Sequence, residues 1–111
     1  MTEPRDRLVV ADNPEQSRFE GRLDDRVVAF SEYKVPRPGV ITFLHTEVDP
    51  DFEGQGIGSV LAATVLDQVR ARDLRVVARC PFIGAYIRRH REYADLLLHS
   101  KLGRTEDEAA T

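Results

Sequence analysis

The first half of the chain alternates apolar and polar positions, and from residue 57 the repeat becomes helical. Residues 1–7 are polar and are expected to be loose. Leu8-Val9-Val10 is the first apolar run, and Asp12-Asn13-Pro14 reads as a turn after it. Over 17–23, Phe19, Gly21 and Leu23 share one face and Arg18, Glu20 and Arg22 the other, the pattern of a half-buried strand. Asp24-Asp25 connects it to a second strand over 26–35, so the pair reads as a hairpin. Pro36-Arg37-Pro38-Gly39 closes that strand, because proline donates no ladder hydrogen bond. Residues 40–48 form the third strand, with Ile41, Phe43 and His45 on one face and Thr42, Leu44, Thr46 and Val48 on the other. Both faces are largely apolar, which places this strand inside the sheet.

Asp49-Pro50-Asp51 ends the strand, and Glu53-Gly54-Gln55-Gly56-Ile57-Gly58 turns the chain into a helix over 59–72. Ile57, Leu61, Val65 and Val69 recur at four-residue steps, Val60 and Leu66 widen the stripe, and Asp67, Gln68, Arg70 and Arg72 lie outside it. Residues 74–80 are a short strand with Val76, Ala78 and Cys80 on one face. Strand, helix, strand in this order is a βαβ unit, whose two strands run parallel with a right-handed crossover. Pro81 opens a further helix with Phe82, Ile83, Tyr86 and Ile87 as its apolar face. A last short helix is expected over 92–98, and a disordered polar tail over 100–111. The fold class is α+β: one domain, a mostly antiparallel sheet with one parallel pair, and helices packed on it.

Composition narrows the function classes. A chain of 111 residues with 41% apolar and 32% charged residues is one soluble globular domain. A net charge of −3 argues against a dedicated nucleic-acid binder. No apolar run approaches the ~20 residues of a membrane span, and the N-terminus lacks the apolar core of a signal peptide. The expected location is the cytoplasm, which a single unpaired cysteine, Cys80, also fits. His90 and His99 show no ligand spacing, so no metal is expected.

The glycine turn carries the clearest chemistry. Three of the seven glycines fall at 54, 56 and 58, between a strand and a helix start. Backbone amides and the positive end of a helix dipole form an anion cradle there, and Gly56 and Gly58 remove side chains where a phosphate would approach. The turn lacks the lysine of a phosphate-binding P-loop and the spacing of a dinucleotide-binding fingerprint. Asp49, Asp51 and Glu53 would repel a phosphate if they pointed inward. Cys80 is either a small buried apolar residue or a group at the reacting centre, since it ends the strand parallel to the one feeding the turn. His45 is either a core histidine or a proton acceptor near Cys80, with Glu47 as a substitute.

The run 48–61 resembles motif A of the GNAT acetyltransferase superfamily, where Arg/Gln-x-x-Gly-x-Gly/Ala cradles the pyrophosphate of acetyl-CoA. The short length, His45-Thr46, Cys80-Pro81 and His90-Arg91-Glu92-Tyr93 are similar to the compact YjdJ-type members. The resemblance spans about 19–98 and implies a GNAT-like domain over 8–99. It implies acetyl-CoA as cosubstrate, held by Val48 and by Glu53, Gly54, Gln55, Gly56, Ile57, Gly58 and Ser59. It further implies that Cys80 lies near the cofactor's thiol and that the acceptor is an amine (small molecule or protein), so Cys80 and His45 are the candidate catalytic residues. The charge and the lack of an apolar span leave no nucleic-acid or membrane partner expected, and an open sheet edge fits a monomer or homodimer. Many members protonate the departing thiolate with a tyrosine from the helix that holds Tyr86 here; for Tyr86 core packing is the favoured reading. Glu53 departs from the motif, standing where Arg or Gln is usual.

Overall fold

The computed structural model describes residues 3–98. Strands β1 (Val9–Asn13), β2 (Arg18–Leu23), β3 (Arg26–Arg37), β4 (Val40–Val48) and β5 (Arg75–Ala78) form one sheet in sequence order. β1 to β4 are antiparallel neighbours, and β4 and β5 are parallel. The helices are α1 (Pro4–Arg7), α2 (Ile57–Ala71) and α3 (Pro81–Arg89), with 3-10 turns at Pro50–Phe52 and Arg91–Leu96. This is the α+β architecture that the periodicities predict. The expected tail over 100–111 and His99 lie outside the described residues.

Local chemistry accounts for the connections. Asp24 and Asp25 both take positive φ, 49° and 72°, as a two-residue hairpin turn between right-twisted strands requires. Pro4–Arg7, expected loose, is one helical turn started by proline at its first position. The strand after it extends further than the Asp12-Asn13-Pro14 turn signal suggests. β1 continues through Asp12 and Asn13, because the Asp12 carboxylate accepts from the Tyr33 hydroxyl at 2.7 Å and from Arg72 at 2.9 Å. The turn comes after Asn13, whose carbonyl accepts from the Gln16 amide.

One apolar core lies between the sheet and the helices. Phe19, Ile41 and Phe43 of the sheet meet Leu61, Val65 and Val69 of α2 and Ile83 and Ile87 of α3. At the Gly21/Arg22 step β3 carries one residue more than β2, so Val28 and Ala29 both turn inward, each 2% exposed. The chain after α3 forms a 3-10 turn where a helix over 92–98 is expected. Arg70 of α2 grips it through both oxygens of Asp95 at 2.9 Å and the Glu92 carbonyl at 2.7 Å. Leu97 and Leu98 then run beside β5, where the Leu98 amide donates to the Val76 carbonyl.

The alternation in β4 is broken. Glu32 pairs with His45 but Tyr33 pairs with Phe43, so Leu44 is an extra residue, a β-bulge. Side-chain parity therefore reverses at Leu44. Thr46 and Val48 join Ile41 and Phe43 on the helix-covered face, and His45 and Glu47 stand on the opposite face beside Phe30. The face assignment expected for His45 is thus corrected, as it is for Thr46 and Val48, because strict alternation fails at a bulge.

That opposite face holds a buried carboxylate. Glu20 is 4% exposed and receives Arg18 at 2.8 Å, Arg22 at 2.9 Å and Asn13 at 3.1 Å. Burial alone would raise its carboxyl, but the donors from Arg18, Arg22 and Asn13 outweigh burial and hold it below its ordinary value of 4.5. A depressed carboxyl contributes stability that is complete above 4.5 and is lost as pH falls through its folded value. Urea denaturation in steps from pH 6 downward is expected to show wild type losing stability below that point. Glu20→Gln is expected to start lower and fall less steeply.

Candidate active site

β4 outruns β5, and that difference makes the site. The two strands pair only from Val40↔Arg75 to Phe43↔Ala78. The Phe43 carbonyl then accepts from the amides of both Arg79 and Cys80, at 3.0 and 2.9 Å, and the chain leaves for α3. Among the described residues, 44–48 continue without a strand neighbour on that side. The Asp49 amide donates to the Val28 carbonyl, so ladder alternation points the main-chain groups of Glu47 and His45 at β3. Those of Thr46 and Val48 point into the gap left by β5.

The gap opens into a cleft of about 380 Å³ lined by Thr46, Val48, the turn 52–54, Gly56 through Ser59, and Phe82. Gly56 is the N-cap of α2 with φ 82° and no side-chain cap. The first helical bond is from the Val60 amide to the Gly56 carbonyl, so the amides of Ile57, Gly58 and Ser59 have no partner within the helix. A cradle of free amides at a helix dipole suits a phosphate oxygen. At Gly58 a Cβ would stand 2.7 Å from Phe82 Cζ, so its missing side chain also lets the ring pack against the turn. The space at Gly56 is taken by the Arg5 side chain.

The carboxylates near the turn differ in orientation. Asp49 accepts from the Asp51 amide at 2.9 Å and from Arg26 at 2.5 Å. The Asp51 amide, and then Arg26, hold its carboxyl below the ordinary carboxylate range despite the opposing effect of burial. Glu53 is exposed and lines the cleft. Gln55 lies outside the lining, its side-chain amide directed to the Asp51 carbonyl at 3.4 Å.

The structure does not bring His45 and Cys80 together. Cys80, 1% exposed, is the N-cap of α3, and its Sγ lies 3.2 Å from Thr46 Oγ1. Thr46 also bonds Ser31 at 3.0 Å, so its hydroxyl links the buried thiol to the cleft lining. His45 is on the other face, its Nε2 2.8 Å from a Glu47 oxygen and its ring 6.3 Å from that of Phe30. Thr46, Phe52 and Phe82 are the lining residues that sequence reasoning missed. Phe82 was legible as an apolar residue two after Cys80, but nothing in the residue types marks Leu44 as the bulge that turns Thr46 inward. Tyr86 is buried, stacked on His90 at 4.0 Å, and its phenol is raised by burial, then by Glu92 and Asp67. It lies in the core, as its packing reading expects.

Residues 18–96 match the family model described as GCN5-related N-acetyl-transferase. No curated protein matches the sequence. Among solved structures, the fold is similar to a Staphylococcus aureus protein assigned to the GCN5-like N-acetyltransferases: 22% identity, TM-score 0.65, with 91% of this chain and 93% of that one covered. It is also similar to Ard1 from Thermoplasma volcanium, at 24% identity and TM-score 0.52, covering 71% of this chain and 55% of that one. For the ribosomal-protein-alanine N-acetyltransferase of Brucella melitensis biovar Abortus the values are 20%, 0.50, 85% and 65%. The chain belongs to the GCN5-related N-acetyltransferase family, and its sheet and helices form that fold.

The contact between Gly58 and Phe82 gives a measurable consequence. Gly58→Ala is expected to lower unfolding stability by about 1–3 kcal/mol, the range for overpacking a close contact. Adding Phe82→Leu should recover part of that loss in urea denaturation. Strictly additive losses would show that the ring does not rest on the turn.

Proposed function

We propose that the protein is an acetyl-CoA-dependent N-acetyltransferase, with acetyl-CoA lying in the cleft between the open edge of β4 and the N-terminus of α2. Family membership supports acetyl transfer in general. The observation that carries the finer reading is the unpaired edge at Thr46 and Val48 running into a cradle of free amides. In this reading the pyrophosphate sits on the amides of Ile57, Gly58 and Ser59, and Gly54 and Gly56 supply the positive φ angles, 80° and 82°, that the turn requires. The pantetheine arm extends β4 by pairing with the main chain near Val48, as a strand would. The thioester then lies at Thr46, above Cys80.

The acceptor amine comes from the Phe30 face through the gap between β4 and β5. Its lone pair attacks the thioester carbonyl carbon and the C–S bond breaks. The amine proton passes to His45, whose ring is oriented by Glu47. CoA leaves as a thiolate near the N-terminus of α3, where free amides and the helix dipole favour an anion. A second route is favoured by the contact of Thr46 with Cys80: the thiol accepts the acetyl group first and the amine attacks the resulting thioester. The acceptor is a small-molecule or protein amine. The protein works in the cytoplasm as a monomer or homodimer, without a nucleic-acid or membrane partner, and the compact YjdJ-type subgroup is its place in the family. Among the described residues no helix is long and apolar enough to cross a membrane.

Calorimetric titration with acetyl-CoA, followed by thiol release across a panel of amines, tests this function. Binding with turnover is expected. Binding without turnover would make the protein an acyl-CoA-binding module, and no binding would overturn the reading. With the best amine, His45→Ala is expected to lower kcat about 10²–10⁴-fold while leaving the acetyl-CoA Kd within about twofold. Incubation with labelled acetyl-CoA separates the routes. Absence of label on the Cys80 peptide, with intersecting initial-rate patterns, is the result for direct transfer.

A further inference from the structure

The N-terminal turn brings a cation to the glycine cradle. Arg5 lies across Gly56: a Cβ on that glycine would stand 3.1 Å from Arg5 Cδ and 3.4 Å from its Nη1. Arg5 is exposed, and among the described residues its guanidinium makes no ion pair and no side-chain hydrogen bond. Its neighbour in the same turn, Arg7, is directed instead to Asp24 at 3.2 Å. The turn is seated on the sheet by Leu8, whose side-chain carbons reach 3.2 Å from the position of a Cβ on Gly21.

The electrostatics of the cradle call for such a group. Asp51 and Glu53 are exposed beside it, and Glu53 lines the cleft. Arg26 is occupied by Asp49 at 2.5 Å and reaches Asp51 at 3.9 Å. The glycine turn therefore presents free amides with a carboxylate where related motifs place Arg or Gln; Arg26, over the Phe52 ring, is held by Asp49, and Arg5 is a guanidinium lying against the turn with no such partner among the described residues. A planar guanidinium can bind two phosphate oxygens at once, and its planar fork is preorganised to do so.

We propose that Arg5 is a phosphate-binding residue of the cleft, contributed by the N-terminal turn and replacing the cation that Glu53 removes from the motif. The proposal rests on the reading of the cleft as the acetyl-CoA site. Its ligand contact is the pyrophosphate, and the thioester end of the molecule does not meet Arg5.

Titration calorimetry on the full chain with two probes tests it: acetyl-CoA, and S-acetylpantetheine, which has the thioester arm without phosphates. Arg5→Ala is expected to weaken acetyl-CoA about 5–30-fold, Arg5→Lys to recover part of the loss, and S-acetylpantetheine to bind all three proteins equally. The loss should shrink as salt is raised, because the site is exposed. An unchanged acetyl-CoA Kd in Arg5→Ala overturns the proposal while leaving the cleft reading intact. So does an equal loss for S-acetylpantetheine, which would mean that Arg5 merely shapes the turn. Failure of wild type to bind acetyl-CoA overturns the cleft reading, and this proposal with it.

Discussion

The carbonyl of Phe43 accepts two amides from the chain leaving β5, and the rest of the site depends on that fork. It ends the parallel pairing early and leaves five residues of β4 with an open edge. In the same place the Leu44 bulge reverses side-chain parity, so Thr46 and Val48 face the cleft and His45 and Glu47 face away. A regular strand would have been paired along its length, with Thr46 outside and His45 against the core. An open edge inside a sheet leaves polar groups without partners, an arrangement that needs water or a ligand to satisfy it. Here the edge continues into a helix start whose first amides have no partner within the helix. The two sets of unsatisfied groups are consecutive in the chain, and one extended molecule with an anionic end can meet both.

Around this opening the fold is conventionally closed. Phe19, Ile41, Phe43, Leu61, Val65 and Ile83 are all within 1% of full burial. α2 is tied at its C-terminal end by Arg72 to Asp12 and by Arg70 to Asp95, so the helix whose start faces the cleft is anchored on two sides. Those exposed ion pairs add little stability individually; their value is in direction, since they fix where the first turn of α2 points. The Tyr93 hydroxyl donates to Asp67 at 2.7 Å, and its phenol is pushed up to about 12 by burial and then by Asp67. It stays a neutral donor at any ordinary pH.

Much of this was legible in the residues. The Asp24-Asp25 hairpin, the βαβ order, the apolar stripe of α2 and the glycine turn follow from periodicity and turn chemistry, because each is set by neighbours a few positions apart. Seven of the eight residues that motif A assigns to the cosubstrate line one cleft, and only Gln55 does not, because they too are near neighbours in the chain. The faces of β4 were not legible beyond Leu44. A bulge is a property of two strands in register, and nothing in residues 40–48 alone distinguishes it from continuous alternation. The expected pairing of His45 with Cys80 failed on that single residue. The buried state of Glu20 was only partly legible: Arg18 and Arg22 are its neighbours on the same strand face, but Asn13 reaches it only once β1 pairs with β2.

The account's central claim is that the open edge of β4 and the start of α2 hold one extended CoA thioester on the helix-covered face. A crystal structure of the protein with acetyl-CoA tests it most directly. The account predicts main-chain hydrogen bonds from Thr46 or Val48 to the pantetheine arm, the pyrophosphate over the amides of Ile57, Gly58 and Ser59, and the acetyl group at Thr46. Acetyl-CoA lying on the Phe30 face, or bound away from residues 44–48, would contradict it.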